Sequence, residues 1–255
     1  MIHTLRGLIE YQFIQIKRYW LDEVFLLLSE YVIFLLLFFG IQGIAQVSNL
    51  GASTESIIVG YWVFSLVISS YASISGIIGG NITMGTLEHL YLSPQGFKWI
   101  SIGFTLGGLM TMFVFNIPFL FLLMLTTGNW LHIDLLSITP LIIAIIIQAY
   151  GIGYMMGGLS LIHKQVGSLA QLINMFFIAC IVIPPDVSRF TQLLPFNILW
   201  RLLREVMENG TSIIYLSSGS MFIALIQTIV LLALGIFIYN RCENIAKTRG
   251  VLGQY

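Results

Sequence analysis

The densest polar chemistry in the first half of the chain lies in "NITMGTLEHLYLSPQGFKW", positions 81–99, between two long apolar runs. Thr86 can cap a helix that begins at Leu87, and Pro94 can end it. On that short helix the Glu88 carboxylate and the His89 imidazole are exposed. The spacing therefore predicts a rigid polar element suited to contact with another protein. The glycines that would let the chain leave the preceding run and turn are Gly79, Gly80 and Gly85.

Glu30 is the acid that lies clearly inside an apolar run, near the cytoplasmic end predicted for that run. Ionisable residues in a membrane often mark proton or ion sites. Glu30 could therefore bind a proton or a cation, or pair with an arginine of another subunit. Alternatively, it reaches back to the lipid headgroups or pairs with the surface helix that precedes the run.

The other polar residues predict no catalytic or metal centre. An intramembrane serine protease needs a nucleophile and a histidine on spans, and a metal-dependent one needs a motif such as HExxH, which is absent. The phosphate-binding motif GxxxxGK[ST] is absent too. We expect a chain that is not an enzyme and binds no metal or cofactor itself. Its histidines lie at or beyond membrane edges: His3, His89, His132 and His163.

Composition defines an integral membrane protein. Of 255 residues, 58% are hydrophobic and 9% are charged, whereas a soluble domain has about 25% charged residues. The net charge is zero and the basic residues are dispersed, so no basic surface for nucleic-acid phosphates is expected. Cys180 and Cys242 would lie at different depths, so no disulfide is expected, and the N-terminus has no pattern of a cleaved signal peptide.

Six runs are long enough to cross a membrane as helices, since a span needs about 20 apolar residues. The short loops on one side carry most of the 11 lysines and arginines, which predicts that both termini are cytoplasmic. A multi-pass protein of a bacterial cell membrane is expected. The predicted spans are 24–46, 57–78, 100–125, 138–162, 166–183 and 221–239.

Two amphipathic segments flank these spans. Residues 4–20 have the pattern of a helix lying in the membrane interface. In "LLPFNILWRLLREVMENG", Leu199, Leu202, Leu203 and Val206 share one face, a helix starts at Pro195, and Asn209 with Gly210 stop it. Two ion pairs at i,i+4 are predicted there, Arg201 with Glu205 and Arg204 with Glu208. The segment would be external, amphipathic or re-entrant.

Small residues predict close helix packing rather than substrate chemistry. In the fourth run Gly153 and Gly157 have GxxxG spacing, which lets two helices approach closely. The second run has a stripe of small residues with similar spacing: Ser65, Ser69, Ser73, Gly76 and Gly80. The whole chain is predicted to form one transmembrane domain, with an interfacial helix at 1–22, a bundle at 24–239 and a cytoplasmic tail at 240–255.

"GTLEHLYLSP" resembles the signature that follows the second span in membrane subunits of type-2, export-class ABC permeases. The order of interfacial helix, six spans and the amphipathic segment before the last span is also similar over nearly the whole chain. The family's charged pair before this signature is replaced by Thr83 and Met84. The resemblance implies a coupling helix that docks on an ATPase through Gly85, Thr86, Leu87, Glu88, His89, Leu90, Ser93 and Pro94.

The resemblance also implies partners. Two ABC ATPase subunits would hold ATP and Mg, and a second permease subunit, identical or related, would complete a path through the membrane lipid. That path is lined in the family by the second and fifth spans. On these spans the large or polar side chains are Tyr61, Phe64, Tyr71, Asn174 and Phe177, each of which could equally be a packing residue.

The expected cargo is amphipathic, such as a drug, antibiotic, peptide or lipid. Exporters of lipid-linked polysaccharide or teichoic acid often have Leu-Gly-x-x-Trp before the first span, and this chain has "IKRYWLDEVF" there. Such an exporter remains an alternative. A gradient-driven carrier is the next class, followed by a membrane assembly factor without transport activity.

Overall fold

The computed structural model describes residues 2–48, 53–83, 85–86, 97–163, 166–182 and 194–248. Within these ranges every regular element is helical and no strand occurs. A chain rich in apolar runs adopts helices in lipid because each helix satisfies its own backbone hydrogen bonds. The helices are α1 (Ile2–Ser48), α2 (Thr54–Thr83), α3 (Phe97–Thr127), α4 (Leu135–Ile162), α5 (Gly167–Val182), α6 (Asn197–Asn209) and α7 (Ser218–Thr248), with a 3₁₀ turn at Ile213–Tyr215.

Five of these helices are long and apolar enough to cross a membrane, which confirms an all-α, multi-pass membrane protein. The apolar part of α5, Gly167–Ile178, is shorter than a full span, and residue 183, at the end of the predicted fifth span, lies outside the described residues. The five candidate spans are Ile14–Gly40, Thr54–Ile82, Thr105–Thr127, Leu135–Ile162 and Ser218–Thr248.

The first helix contains a kink at Tyr19, where φ is −113° and ψ is 19°. The sequence predicts a surface helix over 4–20 and a separate span from 24. The structure has one helix, Ile2–Ser48, whose backbone departs from helical geometry at that junction. At the other end of the chain, α7 continues past position 239 to Thr248, so the predicted tail starts as helix.

Helix α2 is the central element, because it packs against α1, α3, α4, α5 and α6. Its contact with α4 follows the predicted GxxxG pair. A methyl group at Gly153 would lie 2.9 Å from the Tyr71 carbonyl oxygen, and one at Gly157 would meet Ile78. The prediction that these glycines serve packing is confirmed.

The most extensive helix pair is α4 with α7, and it too depends on glycine. A methyl group at Gly151 would lie 2.6 Å from the Leu231 carbonyl oxygen, and one at Gly235 would meet the carbonyl of Gly151. Further along, a methyl group at Gly158 would lie 3.0 Å from Tyr239 Cα. Helix α4 is therefore held between two helices by glycines on two of its faces.

The register of side-chain contacts gives the direction of each helix. Residue numbers rise together along α2, α4 and α7, so these three helices are parallel. In the contacts of α2 with α1, α3 and α5, residue numbers rise along α2 while they fall along the other helix. Helices α1, α3 and α5 are therefore antiparallel to α2. The contacts that establish this are Trp62 with Asn116, Ser70 with Met112, Ser65 with Glu30, Tyr61 with Phe34, and Tyr71 with Asn174. For α5, Phe177 also lines one groove together with Val63, Phe64 and Val67 of α2.

The stripe of small residues on α2 contacts α3 along part of the length of α2. Ser65 and Ser69 bond to Asn116, and a methyl group at Gly108 would meet Ser73. Around Gly76 and Gly80, by contrast, nothing in the described structure lies within 4 Å of an added methyl group. The predicted packing role is therefore confirmed for the three serines, while no described helix packs closely on the Cα positions of the two glycines.

Helix α6 buries the predicted face, including Leu199, Leu202, Leu203 and Val206. It ends as predicted at Gly210, whose φ is 64° and whose N–H donates to the Val206 carbonyl. The predicted pair of Arg204 and Glu208 is present at 3.7 Å. The predicted pair of Arg201 and Glu205 is wrong for the described structure, because the Arg201 guanidinium turns toward α7 and donates to Ser220 Oγ at 2.6 Å.

We predict that Gly235→Ala weakens the bundle. The added methyl group would meet the backbone carbonyl of Gly151, which cannot move without separating α4 from α7. Overpacking of this kind costs about 1–3 kcal/mol, so the thermal unfolding midpoint in detergent should fall. Gly219→Ala on the same helix is the control, because the added methyl group would lie no closer than 3.9 Å to a neighbouring side chain, at Ser217 Oγ. Equal midpoints for the two variants would contradict the packing assignment.

Candidate functional site

The chain leaves α2 through a turn that requires glycine. Gly85 has φ of 66°, its N–H donates to the Ile82 carbonyl at 3.0 Å, and the Thr86 N–H donates to the Asn81 carbonyl at 3.0 Å. These two bonds form a Schellman motif, in which the residue after the helix adopts a left-handed conformation. The motif ends α2 abruptly at the start of the "GTLEHLYLSP" stretch.

Thr86 takes part in this helix end through its side chain. The Asn81 amide nitrogen donates to the Ile77 carbonyl at 2.7 Å, which leaves Asn81 Oδ1 as the acceptor for the Thr86 hydroxyl at 2.8 Å. Gly79 and Gly80 stay within α2, so the prediction that they form part of the turn is wrong. Six predicted docking residues lie outside the described residues: Leu87, Glu88, His89, Leu90, Ser93 and Pro94.

An apolar groove lies between α2, α5 and the start of α6. It is partly open to the surroundings. Two predicted path residues, Phe64 and Phe177, lie on opposite walls. Its lining is almost entirely apolar: Val63, Phe64, Val67, Phe177, Pro195, Phe196, Asn197 and Trp200.

Two further path residues meet beside this groove. The Tyr71 hydroxyl donates to Asn174 Oδ1 at 2.5 Å. The Tyr71 ring packs edge-on against Phe177, with centroids 5.9 Å apart, and Phe177 packs against Phe196 in the same manner at 5.4 Å. The structure therefore brings together four of the five predicted path residues on α2 and α5.

Tyr61, the fifth, faces another part of the bundle. Its hydroxyl donates to the backbone carbonyl of Glu30 at 2.6 Å, and its ring lies 5.3 Å from Phe34 and 6.3 Å from Phe119. These neighbours belong to α1 and α3. Tyr61 is in contact with the Phe64 ring but does not line the groove.

Glu30 of α1 is partly buried and joins a polar cluster with two buried residues, Ser65 of α2 and Asn116 of α3. Its Oε2 is 2.6 Å from Ser65 Oγ, which is also 3.0 Å from Asn116 Oδ1. The expectation that Glu30 turns toward the headgroups or the preceding surface helix is wrong, because its carboxyl group faces α2. Packing of Phe34 and Tyr61 sets this register between α1 and α2.

Two functional candidates were missed from sequence, Asn116 and Gln148. Gln148 is fully buried, donates to Thr228 Oγ1 at 3.0 Å and accepts from the Phe196 N–H at 3.1 Å. It therefore ties α4, α7 and the start of α6 together and fixes Phe196 in the groove, where that residue has φ of 67°. The available signal was a single amide side chain in an otherwise apolar span.

These contacts define an α-helical membrane protein with a glycine-specific turn after its second helix, an apolar groove and a buried polar cluster. In the described ranges no three His, Cys, Asp or Glu side chains are grouped as metal ligands. Cys242 is a free thiol. No family model matches the sequence, and no curated protein matches it significantly.

We predict that Gly85→Ala loosens the end of α2. A left-handed conformation costs a residue with a Cβ about 1–2 kcal/mol, so amide hydrogen exchange in the last turn of α2 should accelerate several-fold in detergent. Gly85→Asn should have a smaller effect, since asparagine tolerates this conformation better. Gly76→Ala is the control on the same helix, because open space surrounds that site. Unchanged exchange in Gly85→Ala would refute the role of this turn.

Proposed function

We propose that this chain is the permease subunit of an ATP-driven ABC exporter of the type-2 class. Two ABC ATPase subunits would bind ATP and Mg, and a second copy or a related subunit would complete the translocation path. Residues 87–96 would form a cytoplasmic coupling helix, the first part of α1 would lie on the cytoplasmic membrane surface, and α6 would lie externally. Six spans would place both termini in the cytoplasm.

The turn at Gly85 and Thr86 is the observation that carries this proposal. It begins the "GTLEHLYLSP" stretch at the point where the second apolar helix stops. Because α2 packs against five other helices, a force applied just after this turn would act on the centre of the bundle. Switching by rigid motion of packed helices is an established mode of coupling.

The alternating direction of the helices supports the six-span arrangement. α1, α3 and α5 run opposite to α2, α4 and α7, as successive crossings require. The start of α1, the end of α2 and the end of α7 therefore share one side, with Lys17, Arg18, Arg241 and Lys247 near it. Arg201 and Arg204 lie on α6 at the other side. This distribution agrees with a cytoplasmic side rich in basic residues.

The groove supports an amphipathic cargo. Its walls are aromatic and aliphatic, and the hydroxyl–amide pair of Tyr71 and Asn174 lies at its margin. Apolar sites with a few placed polar groups are typical of small-molecule binding. A drug, antibiotic, peptide or lipid would place its apolar part between α2 and α5.

We predict that Glu88→Lys abolishes cargo-dependent ATP hydrolysis. The variant should insert and fold as well as the wild type, because position 88 follows the end of α2 in the sequence and the described bundle is formed without it. The measurement is ATPase activity of the reconstituted complex, together with co-purification of the ATPase. Glu10→Lys is the control, a charge reversal on an exposed residue of α1 that is expected on the same side.

Labelling from one side of the membrane tests the orientation separately. In a cysteine-free background, a cysteine at position 93 should react with an impermeant reagent only from the cytoplasmic side. A cysteine at position 129, in the loop between α3 and α4, should react only from outside. Reaction of position 93 from outside, or normal coupling in Glu88→Lys, would overturn the proposal.

We predict that Phe64→Leu and Phe177→Leu change cargo recognition. Each substitution removes part of a groove wall, worth roughly 1 kcal/mol of contact, and should shift the cargo concentration for half-maximal stimulation of ATPase activity several-fold. Phe119→Leu is the control, because Phe119 is equally buried but packs on Tyr61 away from the groove. Equal shifts in all three variants would indicate general loosening rather than a cargo site.

A further inference from the structure

Glu30 meets α2 and α3 well inside these helices, away from their ends. Its partner Ser65 follows the start of α2 at Thr54 by 11 residues, and Asn116 precedes the end of α3 at Thr127 by 11 residues. At 1.5 Å per residue each is about 16 Å from the outer helix ends, which is roughly half of a 30 Å hydrocarbon core. If these helix ends lie at the outer membrane surface, Glu30 is deeper in the membrane than its place in the predicted first span indicates.

The orientation of the Asn116 amide is determined by its neighbours. Its Nδ2 lies 3.2 Å from the Met112 carbonyl oxygen, which can only accept a hydrogen bond. Nδ2 also lies 3.4 Å from Ser69 Oγ, whose own hydrogen goes to the Ser65 carbonyl at 2.7 Å. The nitrogen must face these two acceptors, so Asn116 Oδ1 faces Ser65 as an acceptor.

Ser65 has one hydroxyl hydrogen and two oxygen neighbours. Its Oγ lies 3.0 Å from Asn116 Oδ1 and 2.6 Å from Glu30 Oε2. If Ser65 donates to the amide oxygen, which carries no hydrogen, the contact with Glu30 needs a hydrogen from the carboxyl group. An ionised Glu30 would leave two acceptors facing one donor. We propose that Glu30 is a proton-binding site, neutral in this packing, that donates to Ser65 while Ser65 donates to Asn116.

The charges around the carboxyl group favour the proton. In the described structure no lysine or arginine pairs with Glu30. Residues 105–127 of α3 contain no titratable side chain, and from α2 the Tyr61 hydroxyl donates to the Glu30 backbone rather than to its carboxyl group. On α1, Asp22 and Glu23 precede it by two turns and are themselves acidic. An unpaired carboxylate at this depth is costly.

The ligand of this site is a proton, and binding is linked to helix packing. The chain of Glu30, Ser65 and Asn116 joins α1, α2 and α3, so separation of α1 from α2 would expose the carboxyl group to water, where it ionises at neutral pH. A conformational change there would then release a proton, and protonation would favour the packed state. This inference stands independently of the exporter proposal, since it concerns contacts far from the turn at Gly85.

Infrared difference spectroscopy of the purified protein at neutral pH tests it. The difference spectrum, wild type minus Glu30→Gln, should contain the C=O stretch band of a protonated carboxyl group. This band should shift when the protein is transferred to deuterated water, because the carboxyl hydrogen is exchanged for deuterium. Glu243→Gln is the matched control, because Glu243 pairs with Lys247 at 2.6 Å and its removal should delete a carboxylate band. A carboxylate band in the Glu30→Gln difference would overturn the proposal.

A second variant covers the case in which Glu30→Gln does not fold. In Ser65→Ala the carboxyl group loses its acceptor, so the protonated-carboxyl band should move to higher frequency. An unchanged band would mean that the proton resides elsewhere. The infrared spectra of both variants are measured on the isolated chain without an ATPase. Their outcome is therefore independent of the outcome of the Glu88→Lys experiment.

Discussion

The bundle depends on the close approach of three parallel helices, α2, α4 and α7. In a membrane, apolar surfaces gain little by leaving lipid, so helices associate chiefly through packing and through hydrogen bonds. Helix α4 meets both neighbours through glycines: Gly153 and Gly157 contact α2, while Gly151 and Gly158 contact α7. Backbone therefore lies directly against backbone, and the antiparallel helices are added around this unit.

Helix α2 connects the three features that bear on function. Its end forms the glycine turn, its middle contributes Phe64 to the groove and Tyr71 beside it, and its opposite face bonds to Glu30 and Asn116 through Ser65. A shift of α2 along or around its axis would affect all of these together. The groove and the polar cluster occupy different faces, which explains why Tyr61 and Phe64, only three residues apart, have different surroundings.

Much of this could be predicted from sequence, because some constraints are local. An apolar run in lipid must be helical, the buried face of α6 follows from its periodicity, and the packing role of Gly153 and Gly157 follows from their spacing. Other features depend on how distant helices align. Nothing in the local sequence shows that Asn116 faces Ser65, that Gln148 holds the start of α6, or that Arg201 bonds to α7 instead of Glu205. The depth of Glu30 belongs to this second group.

The Schellman motif at Gly85 has a consequence for the way the protein meets bilayers of different thickness. The Asn81 and Ile82 carbonyls are already bonded within the motif, so the helix can end there without recruiting water. Its length is then set by the chain and not by the lipid. When the hydrocarbon layer is thinner or thicker than α2, the mismatch has to be absorbed by helix tilt or by deformation of the surrounding lipid.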